Sequence, residues 1–331
     1  MTNPKWHPGA LLELSGYFWR TCTLHAAVKL DVFTCLGDKK MSSNAVAGAL
    51  KAEPDAVQRL LNALVAMELL AKAGSQYANT PSSKAFLSQK SAQYFGNIII
   101  HHHHLVESWA QLDVSVQTGK PIRQRSSFSD EEWRQNFLMG MFNMAMNMAP
   151  ILIPEIDISA RRHLLDLGGG PGTYAIHFCR HNPRLKATVF DLPTTRPFAE
   201  NTIKRFELSD RIDFQAGNYL KDEVNGRYDA AWLSHILHGE GSDGCHQIIQ
   251  KAVAALEPGG IIIIHEFILN NTMDGPLFPA LFSLNMLLGT DAGQAYSEQQ
   301  LRDMLAAAGA KKIRRLPVRT PNDSGIITAI I

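Results

Sequence analysis

Residues 163–173, with the sequence HLLDLGGGPGT, constrain the fold of this chain more than any other stretch. The first half of this run is apolar and delivers the carboxylate of Asp166, as expected of a short buried strand. Four glycines follow, and they allow the backbone to turn tightly and to approach a ligand closely. The run therefore predicts a strand, a glycine loop and a helix that begins near Tyr174, the arrangement of a nucleotide-type cofactor site.

A second predicted strand, residues 187–191 (ATVFD), ends in Asp191. In a doubly wound sheet a carboxylate at this place binds ribose hydroxyls, and the glycine run also satisfies a dinucleotide pattern. The anionic pyrophosphate of NAD suits a helix N-terminus but lies poorly against Asp166. The ammonium and sulfonium of S-adenosylmethionine suit that carboxylate, so charge favours S-adenosylmethionine, with S-adenosylhomocysteine as product, over NAD. A plain strand-to-helix turn is a third interpretation, which leaves Asp191 unexplained.

Length and charge exclude several classes of protein. A chain of 331 residues is long for one domain. With 32 Lys+Arg against 31 Asp+Glu, no charge excess favours nucleic acid or a membrane surface as a partner. The four cysteines are scattered without a CxxC spacing, which predicts reduced thiols and a cytoplasmic location.

Neither a signal peptide nor a membrane span is expected. The first eight residues, MTNPKWHP, lack a basic region followed by an apolar core. The apolar stretch 137–153 is shorter than the roughly twenty residues that cross a bilayer. Asn143, Asn147 and Pro150 interrupt this stretch, so we predict a buried helix there.

The N-terminal third predicts a small helical module. Helical periodicity covers residues 10–36, and a short helix that ends at Leu50 is capped by Ser43 or Asn44. A second helix follows Pro54, and residues 69–73 and 76–79 predict a hairpin, which together make a winged helix. Its second helix has Arg59 as its only cation and also carries the acidic Glu68. The module is therefore expected to dimerise and not to bind DNA.

The rest of the chain predicts a helical connector and an α/β domain. Residues 85–155 have helical patterns. Beyond Asp191, predicted strands at 212–216, 228–233 and 261–267 alternate with helices at 197–206 and 244–256, as in a parallel sheet covered on both faces. A turn is predicted at 257–260, then a helix at 298–308 and an antiparallel pair at 312–318 and 325–331. The predicted domains are residues 1–95, 96–155 and 156–331.

The loop after the predicted fourth strand of the domain, within residues 233–243 (LSHILHGEGSD), carries His235 and His238. Ligands of such sheets bind at the carboxyl ends of the strands, and the next strand carries Glu266 near its own end. A histidine beside a carboxylate at this place is the arrangement of a general base with an orienting partner. The alternative is that these residues are polar members of exposed loops.

Together these features resemble the plant caffeate/flavonoid and bacterial polyketide O-methyltransferases, a family that includes the hydroxyindole O-methyltransferases. The segments that carry the resemblance are 106–109 (VESW), 142–146 (FNMAM), 165–172 (LDLGGGPG) and 257–260 (EPGG). The resemblance implies a Rossmann-like, doubly wound class I methyltransferase domain preceded by an all-α/winged-helix dimerisation domain. It also implies a homodimer that methylates a hydroxyl of a small aromatic or polyketide-like molecule. A C- or N-methyltransferase of the same fold and a winged-helix regulator with a small-molecule sensor domain remain alternatives.

The resemblance also assigns site residues. His238 stands where the family's HDWSD motif has its catalytic base, Glu266 matches the first of two flanking carboxylates, and Ala295 stands where the second is usual. His235 replaces a tryptophan of the plant members. The implied cofactor residues are Asp166, Gly168, Gly170, Asp191, Leu192, Asn218, Tyr219, Ser234 and His235. The implied acceptor pocket consists of Phe142, Met146, Phe282, Asn285 and Met286. No metal site is expected, and for His101–His104 a metal site, a polar pocket wall and a solvated helix face all stay open.

Overall fold

The structure is a computed structural model that describes residues 6–125, 127, 131–318 and 320–331. It divides into two compact units, Met1–Leu105 and Val106–Ile331. The three-part division at residues 95/96 and 155/156 stays a prediction. The first five residues, on which the expectation about a signal peptide partly rests, lie outside the described ranges.

The first unit contains helices and a small antiparallel sheet of order β1-β3-β2. Its elements are α1 (Pro8–Lys29), α2 (Val32–Leu36), β1 (Met41–Ser42), α3 (Ser43–Leu50), α4 (Pro54–Ala66), β2 (Leu70–Ala73), β3 (Gln76–Asn79), α5 (Pro81–Leu87) and the start of α6 (Gly96–Trp109). The predicted order of two helices and a hairpin is present.

Three local predictions for this unit were wrong. Ser42 caps α3, because its Oγ accepts a hydrogen bond from the Ala45 amide at 3.2 Å, and neither Ser43 nor Asn44 is the cap. Glu68 lies beyond the end of α4 in a left-handed conformation, with φ at 60°. The predicted helix over residues 10–36 is broken because Asp31 also takes a positive φ, of 58°, between α1 and α2.

The second unit is a sheet of order β10-β11-β8-β7-β4-β5-β6, with β9 paired to β8. Strands β8, β7, β4, β5 and β6 are parallel, and β11 and β10 add an antiparallel edge, as predicted. The strands are β4 (His163–Leu167), β5 (Lys186–Asp191), β6 (Ile212–Ala216), β7 (Tyr228–Ser234), β8 (Leu256–Leu269), β9 (Tyr296–Ser297), β10 (Lys311–Arg315) and β11 (Ser324–Ile330). The helices are α7 (Leu112–Thr118), α8 (Glu131–Leu152), α9 (Thr173–His181), α10 (Arg196–Arg205), α11 (Ser242–Ala255), α12 (Leu277–Gly289) and α13 (Glu298–Ala307).

Alternate side chains of the central strands enter two apolar clusters. Leu165 and Leu233 belong to one cluster, and Leu164 and Trp232 belong to the other. This alternation with period two is what a sheet covered on both faces requires. The order of the parallel strands reverses between β4 and β7, so the loops after these two strands meet at the topological switch point where such sheets bind ligands.

One prediction failed where long-range pairing outweighed a local turn signal. The predicted turn 257–260 belongs to strand β8, because the Gly259 amide donates to the Ile331 carbonyl at 2.8 Å and the Ile331 amide donates to the Gly260 carbonyl at 2.9 Å. The helix predicted over residues 137–153 is present, since α8 runs through both asparagines and ends at Leu152, just after Pro150. By length and composition alone residues 131–155 could cross a membrane, but α8 packs on α9 and buries Leu138, Phe142, Ala149 and Leu152.

Candidate active site

The glycine loop follows β4 and makes close backbone approaches. Gly168 has a φ of +69°, and a Cβ built on it would lie 2.5 Å from Cγ2 of Ile236, in the loop after β7. A Cβ on Gly169 would lie 2.5 Å from the carboxyl carbon of Asp166. Side chains at these positions would push the loop away from both neighbours, so glycine brings the loop against the ends of β4 and β7.

Asp166 places a buried, half-satisfied carboxylate beneath this loop. Its side chain is 1 % exposed, and Oδ2 accepts a hydrogen bond from the Ala175 amide at 3.2 Å. Oδ1 has no hydrogen-bond partner among the described residues. Burial raises the pKa of Asp166 to about 7 in spite of the Ala175 hydrogen bond, and the nearby Asp191 adds to the rise. Because an unpaired buried oxygen is unfavourable, this atom suits a cationic donor such as an ammonium group.

Asp191 connects the end of β5 to the glycine loop. Its Oδ2 accepts from the Gly170 amide at 2.8 Å, and its Oδ1 accepts from the Leu192 amide at 2.7 Å and from Thr195 Oγ1 at 2.9 Å. Burial raises the pKa of Asp191, although these hydrogen bonds oppose the shift. The loop after β4 and the end of β5, which the sequence predicts to bind one cofactor, are therefore connected by a direct hydrogen bond. Thr195 was not predicted, since a threonine in a short turn carries no pattern of its own.

The residues after β6 have unexpected partners. Asn218 Oδ1 accepts from the Leu220 amide at 2.9 Å, a local turn that fixes the asparagine. The hydroxyl of Tyr219 donates to Glu240 Oε1 at 3.2 Å, and Arg125 Nη1 forms an ion pair with the same oxygen at 2.6 Å. Burial raises the pKa of Tyr219. This cluster was missed, because Arg125 and Glu240 lie 115 residues apart and neither belongs to a pattern that assigns it a partner.

His238 and Glu266 form a close ionisable pair. His238 Nδ1 lies 2.7 Å from Glu266 Oε2, and Glu266 Oε1 accepts from the Leu237 amide at 2.9 Å. Glu266 is 2 % exposed. Burial alone would raise the pKa of Glu266, but the imidazole of His238, its hydrogen bond to the carboxylate and the nearby ring of His235 hold it well below its ordinary value. The carboxylate is therefore ionised at neutral pH and holds the His238 ring in place.

His235 and Ser234 lie beside this pair. His235 adopts a φ of 55°, and its Nδ1 lies 3.6 Å from Glu266 Oε2. The hydroxyl of Ser234 is 3.0 Å from Nδ1 of the buried His265. Burial lowers the pKa of His235 and of His265, so both rings are neutral at neutral pH. The ligand atoms of His235, His238 and Glu266 lie within 4.8 Å of one another, close enough to take a metal ion, a grouping that the sequence analysis did not foresee.

Aromatic rings line one side of His238. The ring centroids of His238 and Phe282 are 4.7 Å apart, and Phe267 lies 4.5 Å from Phe282 and 4.9 Å from Phe278. Phe282 was predicted as a pocket residue, but Phe267 and Phe278 were not. These rings form an apolar wall beside the histidine.

The other predicted pocket residues lie on α8 and α12. Phe142 and Met286 are buried, and Met146 Sδ lies 3.5 Å from His177 Nε2 on α9. Asn285 Oδ1 accepts hydrogen bonds from Trp109 Nε1 at 3.3 Å and from Arg123 Nη2 at 3.1 Å. Their places in an acceptor pocket stay predictions. The run His101–His104 belongs to the first unit, where His103 Nε2 lies 3.1 Å from Lys29 Nζ.

Two family models match this chain. An O-methyltransferase domain matches residues 116–311, and an O-methyltransferase dimerisation domain matches residues 12–89. The chain belongs to the O-methyltransferase family. Members of this family use S-adenosylmethionine, and the protein is an S-adenosylmethionine-dependent O-methyltransferase with a dimerisation domain.

Individual relatives agree with this assignment. The chain is 30 % identical to the tetracenomycin polyketide synthesis 8-O-methyl transferase TcmO of Streptomyces glaucescens, over 96 % of each protein. It is 29 % identical to the 3-hydroxy-5-methyl-1-naphthoate 3-O-methyltransferase of Streptomyces sahachiroi, over 98 % of this chain and 95 % of that protein. Human N-acetylserotonin methyltransferase in complex with S-adenosylmethionine superposes with a TM-score of 0.87 at 25 % identity, covering 100 % of this chain and 99 % of that one.

The predicted family, fold class, enzyme class and cofactor are thereby confirmed, and the preference for S-adenosylmethionine over NAD was correct. The glycine loop with its unpaired Asp166 oxygen fits a cofactor that carries an ammonium group. The roles of single residues, including that of His238, stay predictions.

Proposed function

We propose that this O-methyltransferase methylates a phenolic hydroxyl of a small aromatic or polyketide-like molecule, with His238 as general base. The observation that supports it best is the 2.7 Å contact between His238 Nδ1 and the buried Glu266 carboxylate, at the carboxyl ends of β7 and β8. A base at this edge of the sheet lies where ligands of such folds bind.

The hydrogen bond to Glu266 determines how His238 would act. An ionised carboxylate only accepts hydrogen bonds, so it favours the imidazole tautomer with the proton on Nδ1. That tautomer leaves the lone pair of Nε2 free to take the acceptor's proton. Glu266 would then stabilise the imidazolium that forms, without becoming protonated itself, because its pKa is held low.

The cofactor supplies an electrophilic methyl group, and this chain's residues would position the acceptor against it. The rings of Phe267, Phe278 and Phe282 would hold a planar acceptor beside His238 and exclude water from its hydroxyl. Proximity of this kind is the main advantage that a two-substrate enzyme offers. Phe142, Met146, Asn285 and Met286 are proposed to complete the pocket.

The proposed cofactor site rests on two carboxylates. Asp166 would take the ammonium through its unpaired Oδ1, and Asp191 would bind the ribose hydroxyls. Gly168 and Gly170 would let the backbone approach the cofactor. Further neighbours are proposed to be Leu192, Asn218, Tyr219, Ser234 and His235.

A transfer assay with isotopically labelled methyl groups tests the proposal. Purified protein and labelled S-adenosylmethionine are incubated with matched phenols, anilines and electron-rich arenes, and the products are identified by mass spectrometry. We expect aryl methyl ethers. N- or C-methylated products without any ether would overturn the choice of oxygen, and tight binding to duplex DNA at low salt would revive the regulator alternative.

Asp191→Ala should weaken binding of S-adenosylhomocysteine by about tenfold to a hundredfold, since charge-assisted hydrogen bonds contribute roughly 1.5–3 kcal/mol. Isothermal titration measures the change. Asp213→Ala, which removes an exposed carboxylate from the neighbouring strand β6, is the matched control and should bind as the wild type does. Equal affinities of the two variants would contradict the ribose role of Asp191.

The protein is proposed to be a homodimer formed through its first unit. Most of helix α1 lies within residues 12–89, the part of the chain that matches the dimerisation domain. Large apolar side chains of this helix are exposed, with Leu12 at 74 %, Phe18 at 61 % and Trp19 at 69 %. A surface of this kind on one chain requires a partner. The proposal of a reducing, cytoplasmic location rests on the four free cysteines.

Light scattering should therefore report a dimer at micromolar concentration. The double variant Leu12→Glu with Trp19→Glu should be monomeric, because it places two charges in the proposed interface. Val116→Glu changes an equally exposed apolar residue of the second unit, at 62 %, and should leave the dimer intact. A wild-type monomer under these conditions would remove the proposal.

A further inference from the structure

Arg123 is a half-buried cation that pairs with no carboxylate among the residues that the structure describes. Its Nη2 donates to the carbonyl oxygen of Asn285 at 3.2 Å and to Asn285 Oδ1 at 3.1 Å, and its Nη1 donates to the Gln124 carbonyl at 3.4 Å. All three acceptors are neutral. Within the described ranges no carboxylate pairs with Arg123, and its buried Nε has no hydrogen-bond partner.

An unpaired guanidinium in this position is unfavourable. Burying a charge is costly unless it is paired, and a guanidinium stays protonated at neutral pH. Burial lowers the pKa of Arg123, as expected for a cation that lacks a partner. Arg125, two residues along the chain, instead forms an ion pair with Glu240, with 2.6 Å between Nη1 and Oε1. The contrast indicates that an anion is missing at Arg123 and not at Arg125.

The guanidinium contacts helix α12, which also carries Phe278 and Phe282 of the apolar wall. Arg123 contacts Asn285, and a Cβ on Gly289 would lie 2.5 Å from Arg123 Nη1, so this glycine leaves the room that the guanidinium occupies. Phe282, which contacts His238, lies one helical turn before Asn285 on the same face of α12. Along the helix, Phe282 and the two residues that contact Arg123 are therefore about 5–10 Å apart. That distance matches the separation of two substituents on one or two fused aromatic rings.

We propose that Arg123 binds a carboxylate of the acceptor, so that the substrate is an aromatic hydroxy acid whose hydroxyl lies at His238. The carboxylate would supply the missing counter-charge and accept from the free Nε–H, in the forked geometry that guanidinium and carboxylate groups share. This inference rests on the proposed function, because it places the hydroxyl at His238.

Binding tests the inference separately from catalysis. Wild-type protein saturated with S-adenosylhomocysteine is titrated calorimetrically with three acids: benzoate, 3-hydroxybenzoate and 3-hydroxy-1-naphthoate. Each acid is compared with its decarboxylated parent, namely benzene, phenol and 2-naphthol. We expect at least one acid to bind about tenfold to a hundredfold more tightly than its parent. If no acid binds more tightly than its parent, including the case in which none binds, the inference is overturned, whatever the transfer assay shows.

Variants assign the preference to Arg123. Arg123→Gln should remove the difference between acid and parent, and Arg123→Lys should keep part of it, since lysine retains the charge without the fork. Lys120→Gln, which removes an exposed cation three residues away, is the matched control and should retain the full difference. Thermal melting of each variant checks folding, and Arg123→Gln should not lower the Tm of the ligand-free protein, because it removes an unpaired buried charge. An undiminished acid preference in Arg123→Gln, or a loss of preference in Lys120→Gln of the same size, would contradict the assignment.

Discussion

His238→Ala should lower the rate of methyl transfer by about 10²- to 10⁴-fold, the usual effect of removing a general base. Affinity for S-adenosylhomocysteine should stay within about threefold of wild type, since the imidazole is proposed to act on the acceptor's proton and not on the cofactor. Steady-state transfer to an acceptor found in the labelled-methyl assay gives the rate, and calorimetry gives the affinity.

Two comparisons make this result specific. Glu266→Gln should reduce the rate less than His238→Ala, because the amide can still accept from Nδ1 but no longer stabilises the imidazolium by charge. Activity should also survive dialysis against a chelator, although His235, His238 and Glu266 could hold a metal ion. Full activity in His238→Ala, or loss of activity on chelation that Zn²⁺ or Mg²⁺ restores, would show that His238 is not the base.

The cofactor end of the site was predictable because it depends on local sequence. Asp166 and Asp191 each end a short apolar strand, and the glycines between them determine the loop. In the parallel sheet, neighbouring strands bring such ends together at one edge, so the contact between Asp191 and Gly170 follows from the strand order. His238 and Glu266 were predictable for the same reason, since His238 follows β7 and Glu266 lies near the carboxyl end of the adjacent parallel strand β8.

Contacts between distant segments were not predictable from local patterns. Arg123 and Arg125 look alike in the sequence, yet Arg125 pairs with Glu240 and Arg123 has only neutral acceptors. Which of the two has an anion depends on where the 119–125 segment meets α12 and the loop after β7, and no periodicity encodes that. Phe267 was missed because it lies in an almost entirely buried strand, where a pocket residue and a core residue have the same pattern.

Local turn signals also failed where distant backbone groups competed with them. The residues EPGG at 257–260 are typical of a turn, but hydrogen bonds to Ile331 keep them in β8. Here tertiary structure decided between conformations that the local sequence permits.

Asp166→Asn should weaken binding of S-adenosylhomocysteine at pH 8 by about 10²- to 10³-fold, the effect of removing one partner of a buried ion pair. In the ligand-free protein, burial raises the pKa of Asp166 from 3.8 to about 7, so the group is largely protonated below that pH. Binding an ammonium requires the ionised carboxylate. Wild-type affinity should therefore increase with increasing pH, by up to about tenfold per pH unit below pH 7, and become constant above it. Calorimetry at pH 6, 7 and 8, in two buffers of different ionisation enthalpy, measures both the affinity and the proton released.

The raised pKa of Asp166 has opposite effects on cofactor binding and on the stability of the ligand-free protein: with rising pH, binding becomes tighter and the fold becomes less stable. Because the pKa of Asp166 is higher in the folded chain than in the unfolded one, the protonated carboxyl stabilises the fold at low pH, and this contribution is lost as the pH rises from about 4 through 7. Asp166→Asn keeps the neutral form at every pH, so its ligand-free Tm should fall less than that of the wild type between pH 5 and pH 8. Asp213→Asn, at an exposed position, should match the wild type in both experiments. A wild-type affinity that does not change between pH 6 and 8, together with normal binding by Asp166→Asn, would place the ammonium elsewhere and leave the buried Asp166 oxygen without a ligand.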